Sequence, residues 1–127
     1  MRAYIDSDVL IWHLRGERKA LNFLRTLREK DQLELWIGAL QRAEVVFFMR
    51  PKEEEATELF LSQFKTSIVD QTIIDTARAL YRKWHPSHGI DVNDAILAAT
   101  VMKTGGVIYC LNEKHYPMAG IMVHRAW

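Results

Sequence analysis

The chain has 127 residues, of which 49% are hydrophobic and 26% are charged, and its formal net charge is +1. This length predicts a single soluble domain over residues 1–127, and the near-neutral charge excludes nucleic-acid binding driven by overall basicity. The one cysteine, Cys110, excludes an intrachain disulfide and a cysteine metal cluster, and it is expected to be a buried thiol.

The first half of the chain alternates short apolar runs with segments of helical periodicity. Gly16 interrupts the first helical pattern. Arg50-Pro51 marks a second boundary, because the residue before proline avoids the helical region. In chain order the pattern predicts a strand at Arg2–Asp6, a helix at Asp8–Leu14 capped by Ser7 or Asp8, a helix at Glu17–Lys30, a strand at Leu33–Ile37, and helices at Ala39–Met49 and Lys52–Phe64.

The second half continues the same alternation. It predicts a strand at Ser67–Val69, a helix at Gln71–Trp84, a loop at Pro86–Gly89, a helix at Asp91–Thr104 that ends in a left-handed cap at Gly105-Gly106, and strands at Val107–Leu111 and Ile121–His124. Strands that alternate with helices are typical of βαβ units. The sequence therefore predicts an α/β fold, a three-layer α/β/α sandwich with a mainly parallel central sheet of four to five strands.

Five polar side chains stand where buried or half-buried positions are expected. Asp6 and Asn112 each follow a predicted strand, Glu44 shares a helix face with apolar residues, and Asp91 and Asp94 open an apolar helix. An unpaired buried carboxylate is costly, so acids that converge need a cation between them. All the donors are oxygens, which selects Mg²⁺ or Mn²⁺ over zinc. The pattern predicts a split metal site at the carboxyl ends of the strands.

Each of these residues also has a purely structural interpretation. Asp91 and Asp94 have the spacing of a capping box at the start of a helix. Asp6 is also explained as a capping or turn residue, Glu44 as one partner of an ion pair between helices, and Asn112 as a turn residue. The metal hypothesis therefore depends on the joint pattern.

Nothing in the sequence predicts a membrane protein. No apolar run approaches the roughly 20 residues that span a bilayer, and the chain does not begin with a signal-peptide pattern. A cytoplasmic protein without membrane contact is the expectation.

Four segments in register resemble the PIN-domain nucleases, and within them the VapC-like toxins of type II toxin–antitoxin pairs. The segments are Tyr4–Ile11, Ala43–Val45, Ile90–Thr100 and Cys110–Tyr116. Their order and spacing extend the resemblance over essentially the whole chain. One departure is Cys110-Leu111, which replaces the usual Thr-Arg before Asn112.

The resemblance implies roles for the acidic residues. Asp6, Glu44 and Asp94 are expected to be catalytic and to bind Mg²⁺ or Mn²⁺ directly, and Asp91 is expected to assist them. Asn112 is expected to orient water or the metal. The activity implied is metal-dependent hydrolysis of RNA phosphodiester bonds by an endoribonuclease.

The resemblance further implies an antitoxin partner and a homodimer. By their nearness to the acids in the sequence, several basic residues are candidates for contacts with the RNA backbone: Arg15, Arg42, Lys103, Lys114 and His115.

Two alternatives stay open at this point. One is a PIN-type nuclease that acts on rRNA or structured DNA, and the other is a non-catalytic α/β binding module.

Overall fold

The computed structural model describes all residues, 1–127, and contains five strands, six α-helices and two short 3-10 helices, Pro51–Glu53 and Glu113–His115. The strands are Arg2–Ile5 (β1), Glu34–Gly38 (β2), Lys65–Ser67 (β3), Val107–Cys110 (β4) and Met122–Arg125 (β5). The helices are Ser7–Leu14 (α1), Arg18–Arg28 (α2), Ala39–Val46 (α3), Glu54–Leu61 (α4), Gln71–His88 (α5) and Val92–Thr104 (α6).

The five strands form one parallel sheet in the order β3-β2-β1-β4-β5. β1 is the middle strand of the sheet. Its apolar residues Ala3, Tyr4 and Ile5 are fully buried, as expected for a strand that is covered on both faces. From β1 the chain moves outward to β2 and β3, and it later returns to the other side of β1 to form β4 and β5. The topological switch point therefore lies between β1 and β4.

Two apolar cores, one on each face of the sheet, make this a three-layer sandwich. Tyr4 faces a core that includes Leu97 of α6 and Ile73 of α5, whereas Ile5 faces a core that includes Leu10 of α1. Successive residues of a strand point to opposite faces, so β1 contributes to both cores. The predicted α/β/α sandwich with a mainly parallel sheet of four to five strands is confirmed, and the sheet has five strands, all parallel. No helix is both long and apolar enough to cross a membrane.

Several predicted boundaries are wrong by a few residues. The helix predicted at Ala39–Met49 ends at Val46, and Phe47 and Phe48 are left 77% and 85% exposed, so they gain no core packing that would extend it. The strand predicted at Ser67–Val69 is Lys65–Ser67 instead. This edge strand has no apolar alternation, and its position is set by pairing with β2.

The predicted loop at Pro86–Gly89 is wrong. Helix α5 continues through Pro86 to His88 and ends at Gly89, which has φ 60° and ψ 28°. The glycine N–H donates to the carbonyl of His85 at 2.9 Å, which closes the helix. Proline disrupts a helix through its missing N–H and the clash of its ring with the preceding turn, and the place of Pro86 in the exposed last turn limits this cost.

The predicted stop of α6 at Gly105 has the correct position but the wrong conformation. Gly105 has φ 78° and ψ 177°, which is not the left-handed helical conformation that was expected. The positive φ still requires glycine.

Candidate metal centre

The predicted acidic residues come together in one cleft at the carboxyl end of the sheet. Its volume is about 260 Å³, and none of its lining residues is hydrophobic. The cleft lies at the switch point between β1 and β4, where open α/β sheets bind ligands. Nine residues line it: Asp6, Ser7, Asp8, Glu44, Asp91, Asn93, Asp94, Asn112 and His115.

Asp6 occupies the floor of the cleft, between β1 and α1. It caps α1, because its Oδ1 accepts from the Ser7 N–H at 2.8 Å; the prediction that Ser7 or Asp8 is the cap is therefore wrong. Burial, and then the charge of Asp8, raise the pKa of Asp6 from 3.8 to about 7. A carboxyl group in this position is costly to ionise unless positive charge is supplied.

Asp91 and Asp94 form the capping box that their spacing predicts. The Asp94 N–H donates to Oδ1 of Asp91 at 2.7 Å, and the Asp91 N–H donates to Oδ2 of Asp94 at 3.0 Å. Both still line the cleft, so the structural and functional interpretations are compatible. Burial is the main cause that raises the pKa of Asp94 to about 6.

Glu44 is held from two sides by residues of other helices. Ser7 Oγ of α1 donates to Oε2 at 3.1 Å, and Asn93 Nδ2 of α6 donates to Oε1 at 3.0 Å. Glu44 itself belongs to α3, so its carboxylate joins three helices. Burial raises its pKa, although both hydrogen bonds act in the opposite direction.

Four residues of the site were not predicted from the sequence. Asp8 was assigned to helix capping, but it lines the cleft and its Oδ2 accepts from the Leu111 N–H at 3.0 Å. Ser7 and Asn93 hold Glu44, and the Tyr116 hydroxyl donates to Oδ2 of Asp6 at 2.5 Å. The position of Asp8, two residues after the strand-end Asp6, was a usable signal. The contacts of Tyr116 and Asn93 depend on the tertiary fold and left no local pattern.

Asn112 and His115 form the rim of the cleft on the β4 side. The Asn112 amide nitrogen lies 3.0 Å from Nε2 of His115, and Nδ1 of the same ring lies 3.2 Å from Oδ2 of Asp94. If the amide donates to Nε2, the ring carries its proton on Nδ1 and donates it to Asp94. Asn112 thus reaches Asp94 through His115.

The other basic candidates do not line the cleft. Arg15 lies in a neighbouring groove that shares Glu44 with the cleft, and Lys114 is exposed. Arg42 pairs with Glu58 at 3.0 Å. The placement of Lys103 beside the acids is wrong, because it lies in the last turn of α6, at the opposite end from Asp94, and pairs with Asp70.

The chemistry of the donors fits a hard divalent cation. Carboxylate and amide oxygens line the cleft, and burial raises the pKa values of Asp6, Asp94 and Glu44, so a bound cation would stabilise their ionised forms. In this conformation no three acidic, histidine or cysteine side chains are arranged closely enough to hold one ion. Direct ligation by three acids therefore stays a prediction.

The metal-free protein is expected to lose stability as the pH rises from about 4 to about 7. The pKa of Asp6 is about 7 in the fold and ordinarily 3.8, so between these values the unfolded chain ionises Asp6 whereas the folded chain keeps it protonated. The expected loss is on the order of 3 kcal/mol. Denaturant unfolding at the two pH values measures it. Asp6→Asn should flatten the dependence, and an unchanged slope in that variant would contradict the assignment.

Comparisons with known proteins agree with this fold. A family model described as PIN domain matches residues 3–119. Ribonuclease VapC19 of Mycobacterium tuberculosis is 32% identical over 115 residues, which cover 90% of this chain and 91% of the relative. Ribonuclease VapC10 of the same organism is 32% identical over 115 residues, covering 90% of this chain and 85% of the relative.

Solved structures give the same result. A toxin–antitoxin complex from Klebsiella pneumoniae aligns with a TM-score of 0.78 at 25% identity and covers 98% of both chains. VapBC-1 from nontypeable Haemophilus influenzae aligns with a TM-score of 0.80 at 16% identity, covering 99% of this chain and 98% of that chain, a likeness of fold alone. By sequence and by fold, the chain belongs to the PIN domain family, in which its curated relatives are VapC ribonucleases.

Proposed function

We propose that this protein is an endoribonuclease that hydrolyses RNA phosphodiester bonds with Mg²⁺ or Mn²⁺, as the toxin of a toxin–antitoxin pair. The observation that carries the proposal is the convergence of Asp6, Glu44, Asp91 and Asp94 in one cleft without apolar lining. The VapC ribonucleases that match 90% of the chain support the same activity.

Asp6, Glu44 and Asp94 would hold the metal, and Asp91 would support it. When bound, the ion lowers the pKa of a water molecule and neutralises charge on the phosphate. The protein itself orients the acids: Ser7 and Asn93 hold Glu44, and the capping box holds Asp91 and Asp94. Without a cation, this acidic cleft would repel an anionic phosphodiester.

Contacts with RNA are proposed at the rim of the cleft. His115 and Asn112 line one side of the cleft. Arg15 and Lys114 are exposed cations that lie close in the sequence to residues of the cleft. Arg42 is a weaker candidate because it already pairs with Glu58. Leu111, next to Asn112, carries no charge, so the rim depends more on His115 and Lys114. Base stacking on the His115 ring is available to an unpaired nucleotide.

An antitoxin is the proposed protein partner. A groove of about 330 Å³ beside the cleft is lined by apolar residues that include Ile11, Val45 and Phe48, and it also contains Arg15 and Glu44. Phe47 and Phe48 are 77% and 85% exposed, and adjacent exposed aromatic rings mark interaction surfaces. A partner segment in this groove would reach the acidic cleft at Glu44. A toxin–antitoxin complex aligns with this chain at 25% identity, which supports such a partner.

A homodimer is also proposed. An apolar groove of about 230 Å³ lies between α5 and α6, and Ile74, Val92 and Ile96 contribute to its lining. Ile74 and Val92 are 38% and 57% exposed in the single chain, so a second copy would cover apolar surface.

The activity is tested with the purified chain, Mn²⁺ and a panel of tRNA, mRNA and flap DNA. We expect internal cuts in an RNA substrate and none in the DNA flap. Cleavage of the flap alone would favour a structure-specific DNA nuclease of the same family. If the chain cleaves no nucleic acid and binds no Mn²⁺ at millimolar concentration, the non-catalytic module is the better interpretation.

A further inference from the structure

Tyr116 is a buried residue outside the acidic motifs whose hydroxyl reaches two of the acids. It is 5% exposed, and its hydroxyl donates to Oδ2 of Asp6 at 2.5 Å. The same oxygen lies 3.3 Å from Oδ1 of Asp94. A tyrosine hydroxyl has one proton, so the shorter contact identifies Asp6 as the acceptor.

The position of this hydroxyl is fixed by core packing. The Tyr116 ring belongs to the apolar core that contains Ile90, Leu97 and Met118, and its backbone N–H donates to the Glu113 carbonyl at 3.0 Å. A tyrosine side chain has few rotatable bonds, so a packed ring sets where its hydroxyl lies. A phenylalanine would fill the same core space but could not donate a hydrogen bond.

Asp6 and Asp94 belong to different parts of the fold. Asp6 follows β1, Asp94 is in the first turn of α6, and Tyr116 comes after β4. The hydroxyl therefore links three separate segments at the floor of the cleft. On Asp6, Ser7 occupies Oδ1 and Tyr116 occupies Oδ2. Each carboxylate oxygen has two acceptor positions, so one position on each oxygen remains for a cation.

We propose that Tyr116 is a positioning residue for the metal centre, which holds the Asp6 carboxylate in a fixed orientation before the cation binds. The inference rests on the proposed function, since it requires a cation at Asp6. Hydrogen-bond partners of metal ligands orient those ligands, and their loss costs 10–100-fold in metal affinity.

The test compares Tyr116→Phe with Tyr109→Phe. Tyr109 is a half-buried tyrosine of β4 whose hydroxyl makes no hydrogen bond within the chain, so it is a matched control. Mn²⁺ affinity is measured from the electron paramagnetic resonance signal of free Mn²⁺. We expect about tenfold weaker binding for Tyr116→Phe. We expect Tyr109→Phe to leave the Mn²⁺ affinity unchanged. In the absence of metal, the thermal unfolding midpoints of both variants should lie within a few degrees of that of the unsubstituted protein.

Two results would overturn the proposal while leaving the proposed function intact. One is unchanged Mn²⁺ affinity in Tyr116→Phe, and the other is tighter binding, which would mean that the hydroxyl competes with the cation. Failure of the unsubstituted protein to bind Mn²⁺ would overturn both. If Tyr116→Phe does not fold, the role of Tyr116 is tested instead by proton NMR of the unsubstituted protein with labelled tyrosine. A slowly exchanging Tyr116 hydroxyl resonance that shifts on addition of Mg²⁺ supports the role, and one that does not respond refutes it.

Discussion

Replacing Asp6 with asparagine is expected to reduce RNA cleavage by about 10³-fold, equivalent to about 4 kcal/mol of transition-state stabilisation. Asparagine keeps the size of the side chain and one acceptor oxygen, so the cap on the Ser7 N–H can persist. It removes the negative charge that would bind the cation, and a metal centre supplies several kcal/mol of charge stabilisation to the reaction. The loss should appear in kcat measured at saturating Mn²⁺.

The same variant is expected to be at least as stable as the unsubstituted protein at about pH 8 without metal. Burial raises the pKa of Asp6 to about 7, so its ionised form is unfavourable in the fold, and the neutral amide avoids that cost. Asp75→Asn is the matched control, because Asp75 is an exposed acid of α5 outside the cleft, and it should keep full activity. Full activity of Asp6→Asn, with folding confirmed by circular dichroism, would refute the catalytic role.

The sheet and most helices could be predicted from the sequence because their signals are local. The buried run Ala3–Ile5 and the stop at Gly105 mark a central strand and a helix end without reference to the rest of the chain. The errors lie where local signals are weak or misleading. Strand β3 is polar and is positioned by its neighbour β2, and Pro86 is tolerated because α5 ends one turn later at a left-handed glycine.

The acids of the site could also be predicted, whereas the groups that hold them could not. Asp6 and Asn112 follow strands, and parallel strands bring their carboxyl ends to one edge. Tyr116 lies 110 residues from Asp6, and Asn93 lies 49 residues from Glu44. In the sequence, Tyr116 is one more aromatic residue suited to a core. Its hydroxyl contacts the acids only after the fold brings the segments that follow β1 and β4 together with α6.

Treatment with EDTA is expected to abolish cleavage, and added Mg²⁺ or Mn²⁺ is expected to restore it. The lining of the cleft contains several carboxylates and no lysine or arginine, so a chelated protein would meet the RNA phosphate with like charge. Oxygen donors favour these two ions over softer metals. The measurement is the initial rate of RNA cleavage before chelation, after it, and after metal is returned.

The loss should be reversible because the chain holds its acids in place without the cation. Glu44 keeps its donors Ser7 and Asn93, and Asp6 keeps Ser7 and Tyr116, so chelation leaves no acid of this group without a hydrogen bond. Circular dichroism should therefore be unchanged by EDTA, and EDTA already saturated with Mg²⁺ should leave the rate unaffected. Cleavage that persists in EDTA would mean that the acids act without a metal or that the activity belongs to a contaminating ribonuclease. Asp6→Asn separates those two cases, because it lowers only cleavage that this cleft performs and leaves the activity of a contaminant unchanged.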